Sequence, residues 1–330
     1  MIDILGIGNA IVDVVARADD AFLSKHDMHK GGMMLIDSAQ ASALYDAMPP
    51  GIESSGGSAG NTCVVAAAMG ARVAYIGKVA DDQLGAVFRH DSVAAGVSFT
   101  TAPLVGGAPT ARCLILVTPD GQRTMNTFLG ACVTLDESDI DPELVASASV
   151  VYLEGYLFDP PAAQAAFYKA ASLAHAAGRQ VALSLSDAFC VHRHRAAFRD
   201  LVKGHVDILF ANETEITALY ETNTWEEAVE AVRAEVGLAA LTRSEAGSTI
   251  VRGDETVQVE AAPCVVVDTT GAGDAYAAGF LAGLTSGKSL AACGRLGSLA
   301  AAEVIGHYGA RPEADLRGLV PRSGPRAAVG

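Results

Sequence analysis

Positive charge is scarce in this chain: 23 Lys and Arg stand against 38 Asp and Glu, for a formal net charge of −15. That balance speaks against a nucleic-acid partner, because binding a phosphate backbone needs a basic face. An anionic nucleotide would need local help from backbone amides, Mg²⁺ and a few basic residues; acidity otherwise favours solubility. Although 50% of the residues are hydrophobic, no uninterrupted apolar run is long enough to cross a bilayer. Met1 to Asn9 carries neither a basic region nor a signal-type cleavage site, so a cytoplasmic location is expected by default. The cysteines (Cys63, Cys113, Cys132, Cys190, Cys264 and Cys293) form no Cys-x-x-Cys pair. They read as reduced, mostly buried small residues rather than a disulfide framework or a zinc site. His192 and His194 lack a third ligand nearby in sequence and are expected in a surface loop. Gly6-x-Gly8 lacks the third glycine of a dinucleotide-binding turn, since Ile11 stands in its place. Long linkers, low-complexity tracts and internal repeats are also missing. At 330 residues the chain is long enough for one large α/β domain or two ordinary ones.

What is present is an alternation of apolar runs and helical periodicity, as a mostly parallel covered sheet demands. The expected strands are Ile2 to Ile7, Val73 to Ile76, Val150 to Leu153, Val181 to Leu185, Ile208 to Phe210, Ala239 to Thr242 and Cys264 to Val267. Helices are expected over Ala59 to Met69, Gln83 to Ala95, Ala162 to Ala177, Trp225 to Val236, Ala272 to Leu284 and Leu290 to Ile305. Met33 to Ile36 and Arg112 to Phe128 depart from this alternation as short strands, the second interrupted by the hairpin-type turn Asp120-Gly121. Lacking crossover helices, they make either a small lid sheet or edge strands of the main one. The short polar tail Pro321 to Gly330 is expected to be loosely ordered.

The most informative stretch is Asp268-Thr269-Thr270-Gly271-Ala272-Gly273-Asp274, between the apolar run Cys264 to Val267 and a helical pattern. A small-residue turn at a helix N-terminus gathers unpaired N–H groups where the helix dipole favours an anion. Asp274 in that place is unfavourable unless it merely caps the helix, or accepts a proton from a hydroxyl attacking a phosphoryl group held by those amides. At the end of the first strand, Asn9 and Asp13 are either turn and surface residues or polar groups presented to a ligand; a carboxylate at Asp13 suits the vicinal hydroxyls of a ribose or another polyol. In Gly56-Gly57-Ser58-Ala59-Gly60-Asn61 the glycines let backbone approach a sugar ring and Ser58 and Asn61 can bond its hydroxyls; otherwise Gly56-Gly57 is a loop and Ser58 a helix cap.

The string Asp268 to Phe280 resembles the C-terminal signature of the ribokinase-like (PfkB) family of carbohydrate and nucleoside kinases. Gly56 to Asn61, continued through Gly77-Lys78-Val79-Ala80-Asp81-Asp82, resembles that family's N-terminal signature. The resemblance implies an α/β fold: one ribokinase-like three-layer α/β/α domain over 1–320, with a mostly parallel central sheet and a small β-sheet lid from about 9–40 and 100–130. It also implies ATP-dependent transfer to a hydroxyl, with Asp274 as catalytic base over an anion hole of Gly271, Ala272 and Gly273. Asn212-Glu213-Thr214-Glu215 resembles the family's Asn-x-x-Glu motif, which makes Asn212 an ATP contact and Glu215 the organiser of Mg²⁺ through water. Thr242-Arg243-Ser244-Glu245-Ala246-Gly247 resembles its nucleotide loop, with Thr242, Ser244 and Gly247 as ATP contacts and Ser244 in place of the usual middle glycine. In many relatives the region of Asp268 and Thr270 helps form a monovalent-cation site, which brings K⁺ into consideration.

Within the family, Gly8 to Asp13, Gly56 to Asn61, Arg123 to Ala131 and Ala301 to Pro312 look more like adenosine kinases, close to bacterial ones, than like ribokinases or fructokinases. The expected acceptor is therefore a nucleoside, most of all the 5′-hydroxyl of adenosine, with ATP as donor and AMP and ADP as products. A sugar kinase on the same fold is the alternative, and a catalytically silent binding protein a distant third. Arg123 on the lid is expected to neutralise the transferring phosphoryl group, or else to be a solvent-exposed turn residue. Tyr156 is the candidate for stacking on the base, with Met33 and Leu129 as apolar lid contacts; core packing is the alternative for Tyr156. A lid sheet serves a monomer or pairs with a second lid in a homodimer.

Overall fold

The structure, a computed structural model, describes residues 1–320; the expectation for the tail 321–330 lies outside the described residues. The strands are β1 Ile2–Ile7, β2 Ile11–Arg17, β3 Met33–Leu35, β4 Ile52–Gly56, β5 Val73–Ile76, β6 Val97–Phe99, β7 Ala111–Val117, β8 Arg123–Phe128, β9 Ala148–Glu154, β10 Gln180–Ser184, β11 Ile208–Asn212, β12 Leu238–Thr242, β13 Ser248–Arg252 and β14 Glu255–Val259. The helices are α1 Asp20–Lys25, α2 Ser38–Ala47, α3 Ser58–Ala68, α4 Gln83–Ala94, α5 Pro142–Ser147, α6 Pro161–Ala176, α7 Ala188–His205, α8 Glu213–Tyr220, α9 Trp225–Arg233, α10 Ala272–Thr285 and α11 Leu290–Val304.

Nine strands form one sheet in the order β14-β13-β12-β11-β10-β9-β1-β5-β6. It is parallel from β12 to β6, and β13 and β14 close it as an antiparallel edge. Strand periodicity sorts the core into two layers. Ile4, Val150, Tyr152 and Phe210 pack with α3, α10 and α11, whereas Leu5, Ile7, Val151, Leu153 and Leu209 pack with α6, α7, α8 and α9. The family-level expectation of a three-layer α/β/α domain therefore holds. Among the described residues no helix is long and apolar enough to cross a membrane. All six cysteines are free thiols, only Cys264 being exposed.

The five remaining strands form the lid, ordered β3-β8-β7-β2-β4. The lid alternative is thus the correct one for Met33–Leu35 and for the hairpin Ala111–Phe128. The lid also takes in Ile52–Gly56, beyond the expected ranges. One lid face is buried, with Val12, Val14 and Leu114 against Leu44 of α2, and Ala16 and Leu116 against Leu23 of α1.

Two expectations need correction. Cys264 to Val267 is not a strand: it runs irregularly along α11, with the Val267 amide donating to Ile305 O at 2.8 Å and Val265 82% exposed. Its sheet positions are taken by the β13–β14 hairpin. His192 and His194 lie on α7 rather than in a loop, and α7 kinks at His194, whose Nε2 is 2.6 Å from Asp159.

Candidate active site

In an open α/β sheet, ligands bind beyond the carboxyl ends of the strands where chain direction switches. Here the chain leaves β1 for β5 and β6, then returns to β9 on its other side. The residues ending these two strands meet at that switch. Asn9 donates from Nδ2 to Glu154 Oε1 at 2.9 Å, and Glu154 Oε2 accepts the Ala59 amide of the first turn of α3 at 2.7 Å. A carboxylate at a helix N-terminus is favourable, yet its burial pushes the Glu154 carboxyl up to about 7. Asn9 itself is 3% exposed, so it faces Glu154 and not open solvent, and its buried Oδ1 has no partner among the described residues.

The first turn of α3 reaches the catalytic candidate. Ser58 Oγ donates to Asp274 Oδ1 at 2.6 Å, and Asn61 Nδ2 to Oδ2 at 3.3 Å. These two side chains were expected on a sugar ring; instead they hold the carboxylate. Burial pushes Asp274 up to about 6, with the two hydrogen bonds opposing the shift. The helix behind it, α10, opens on Gly271 at φ 76, a left-handed value that glycine adopts without strain. Its first intrahelical bond runs from Ala275 N to Gly271 O. Ala272 N, expected among the anion donors, turns back to Thr269 O at 3.2 Å, while Gly273 N and Asp274 N have no partner among the described residues. Two adjacent free donors thus stand beside a carboxylate of raised basicity.

The lid supplies the facing wall. Its in-register residues share a face, so Leu35, Thr127, Cys113 and Asp13 form one transverse row and Met33, Met125, Ile115 and Val15 the next. Arg123, two residues before Met125, lies on this same face. It donates from Nη1 to Asp268 Oδ2, and to Thr270 Oγ1 at 3.1 Å, which turns this lid face toward α10. Asp13 abuts Gly56, where an added Cβ would lie 2.7 Å from its Cγ; only glycine leaves room for the carboxylate. Burial pushes Asp13 up to about 6, opposed by Arg311 and Arg123. Met33 and Leu35 are 59% and 60% exposed, an apolar surface beside these polar groups. Leu129, just past β8, is partly buried.

Asp268 does not fit a cation bound through its side chain. Its Oδ1 accepts Thr270 N at 3.0 Å and Thr270 Oγ1 at 2.6 Å, and its Oδ2 accepts Gly309 N at 3.0 Å besides Arg123. All four acceptor positions of the carboxylate are filled, and a guanidinium already neutralises it.

On the other flank, beyond β11 and β12, Asn212 and Glu215 form a reciprocal capping box. Asn212 Oδ1 accepts Glu215 N, and the Glu215 oxygens accept Asn212 N at 2.9 Å and Asn212 Nδ2 at 2.6 Å. Glu215 is buried, which pushes its carboxyl up to about 7. Thr242 ends β12, and the Arg243 amide closes the following loop on Gly247 O at 2.8 Å. Ser244 takes φ 47, so the residue expected to replace the motif's middle glycine keeps a glycine-like backbone. We expect S244G to relieve this strain, offset by glycine's larger unfolded-state entropy, for a net gain of about 0.5–1 kcal/mol. A melting temperature that falls would mean that the hydroxyl does something the backbone does not.

Tyr156 lies in the turn Gly155–Phe158 and is 43% exposed. The charges that act on it are Asp187, Asp274, Glu215 and Glu154, three of them in the candidate site. Glu154 and Arg311 carry roles that the sequence did not suggest. Glu154 had a signal of its own, a lone acid closing the apolar strand Val150 to Leu153 opposite Asn9. Arg311, whose Nη2 donates to Ser55 O and, at 2.9 Å, to Ser55 Oγ, had none, because its partners lie about 250 residues away.

Comparison with known proteins bears on this site. A family model described as pfkB family carbohydrate kinase matches residues 52–316. The crystal structure of adenosine kinase from Sinorhizobium meliloti is 55% identical and superposes with a TM-score of 0.88, covering 96% of this chain and 98% of that one. A Rhizobium etli structure named a "probable sugar kinase protein" is 49% identical, with a TM-score of 0.88 and coverage of 97% and 99%. Adenosine kinase 2 of Arabidopsis thaliana is 29% identical over 93% of this chain and 94% of its own length.

Proposed function

The chain belongs to the pfkB family of carbohydrate kinases, and from that premise we propose that it is an adenosine kinase, transferring the ATP γ-phosphoryl group to the nucleoside 5′-hydroxyl. The observation that carries the transfer chemistry is Asp274, held by Ser58 and Asn61 beside the free amides of Gly273 and Asp274. The 5′-oxygen forms its bond to phosphorus as the bond to the ADP oxygen breaks, and its proton passes to Asp274. Helix-terminal amides and Arg123 take up charge on the transferred group. Asp13 accepts from the ribose hydroxyls.

Mg²⁺ belongs to this proposal as well. Each Glu215 oxygen accepts one bond and keeps a lone pair, so Glu215 fits a hydrated ion. When bound, the ion neutralises phosphate charge. Asp268 and Thr270 are assigned to Arg123 and not to a cation. Thr242 and Gly247 are the proposed nucleotide contacts, and the free thiols suit a cytoplasmic location.

The lid bears on the choice of acceptor. A free sugar needs hydroxyl partners throughout, whereas Met33, Leu35 and Met125 offer a nucleobase an apolar face. Covering one such side chain contributes about 1.5–3 kcal/mol. We therefore give one face of the base to these residues. The test is Mg²⁺- and ATP-dependent ADP release with adenosine, guanosine, inosine, cytidine, ribose and fructose. Selective turnover of adenosine is expected. Turnover of a sugar instead would sink the base assignment and favour the sugar kinase that the Rhizobium etli name suggests.

A further inference from the structure

The lid joins the core through β4, whose end leads by Gly56-Gly57 directly into Ser58 of α3. Its junction residue, Ser55, is 1% exposed and held from two sides. Asp91 of α4 accepts from Ser55 N at 2.7 Å and from Ser55 Oγ at 2.6 Å. Arg311, in the loop after α11, donates to Ser55 O and Oγ. The same loop supplies Gly309 N to Asp268. The Arg311 Nε is buried without a partner, and the guanidinium lies within electrostatic reach of Asp13, Asp91 and Asp274. A guanidinium placed among three carboxylates, two of them in the proposed site, does more than close a loop.

We infer that Arg311 is a positioning residue for phosphoryl transfer: through Ser55 it fixes the path from the lid to Ser58, and its charge is shared by the carboxylates on both sides of the acceptor. The inference rests on Asp274 being the base. Other groups also act on these carboxylates. Tyr152 and Glu154 of β9, Tyr156 after it and Glu215 of α8 face Asp274, besides Ser58 and Asn61. Cys113 of β7 and Arg123 of β8 face Asp13. Arg311 is the cation that acts on both.

The experiment compares R311M, R311K and S55A with the wild type and D274N, measuring kcat and KM for adenosine across pH together with thermal melting. R311M is expected to lower kcat by about a hundredfold, as misplacement of catalytic groups by about 1 Å does. It should also move the acidic limb of kcat/KM upward by about one pH unit, since a lost neighbouring cation makes a carboxylate harder to ionise. R311K should restore the limb but not all of kcat. S55A should lower kcat and leave the limb in place. An unmoved limb in R311M, or equal behaviour of the Met and Lys variants, would overturn the inference; if R311M does not fold, R311K and S55A decide alone. A wild type inactive on adenosine would take the functional proposal down with it. An active wild type, a dead D274N and a normal R311M would remove only the role of Arg311.

Discussion

Asp274→Asn is expected to lower turnover by about a thousandfold, the middle of the range for a positioned general base and equivalent to about 4 kcal/mol of barrier. Asparagine matches the carboxylate in shape and still accepts from Ser58, so adenosine affinity by calorimetry should change only a few-fold. The pH dependence has a definite sign. With its pKa raised to about 6, the base is ionised above that value, and kcat/KM should fall as pH drops through it. Asp13, also at about 6, must ionise as well and steepens the fall. For folding the sign is opposite. A carboxyl whose folded pKa lies above its ordinary value loses stabilisation as pH rises from about 4 to 6, so D274N should melt above the wild type at neutral pH. Near-normal turnover in D274N would remove Asp274 as the base.

Arg123→Ala is the second large effect. Loss of an arginine that stabilises charge on a transferring phosphoryl group typically costs about a thousandfold or more in turnover. Here it also strands Asp268, since the pair is little exposed, at 11% and 8% of the side chains. Breaking a buried pair by removing one partner costs about 3–5 kcal/mol, so R123A should melt early as well as turn over slowly. The two consequences separate through D268A, which removes the partner but keeps the cation. If D268A reproduces the whole catalytic loss, Arg123 is a lid latch and the phosphoryl role is lost.

The segments that the fold brings together at the candidate site were readable from the sequence. Turn chemistry marks Gly271 to Asp274, and a small-residue helix start marks Gly56 to Asn61. Who bonds to whom was not readable. Ser58 and Asn61 could serve a ligand or a carboxylate equally well, and the choice was settled by α10 packing on α3 across more than 200 residues. Cys264 to Val267 misled because an apolar run has no periodicity to separate a strand from an extended segment. β2, which carries Asp13, falls within the lid range expected over about 9–40, but five of the seven residues Ile11 to Arg17 are apolar, and that leaves no alternation to mark its bounds. Arg311 was invisible for a simpler reason, that a contact spanning most of the chain leaves no local trace.

The place of β1 in the sheet also dictates when the molecule can become whole. It precedes the other described strands in chain order, yet it lies between β5 and β9, and Ile4 waits for Val150 before its second edge is covered. At roughly 5–20 residues per second on the ribosome, that strand edge stays open for about 7–30 seconds. The nascent chain must therefore shield a bare, apolar β-edge while the residues between Ile4 and Val150 are made, and the proposed base arrives only with α10.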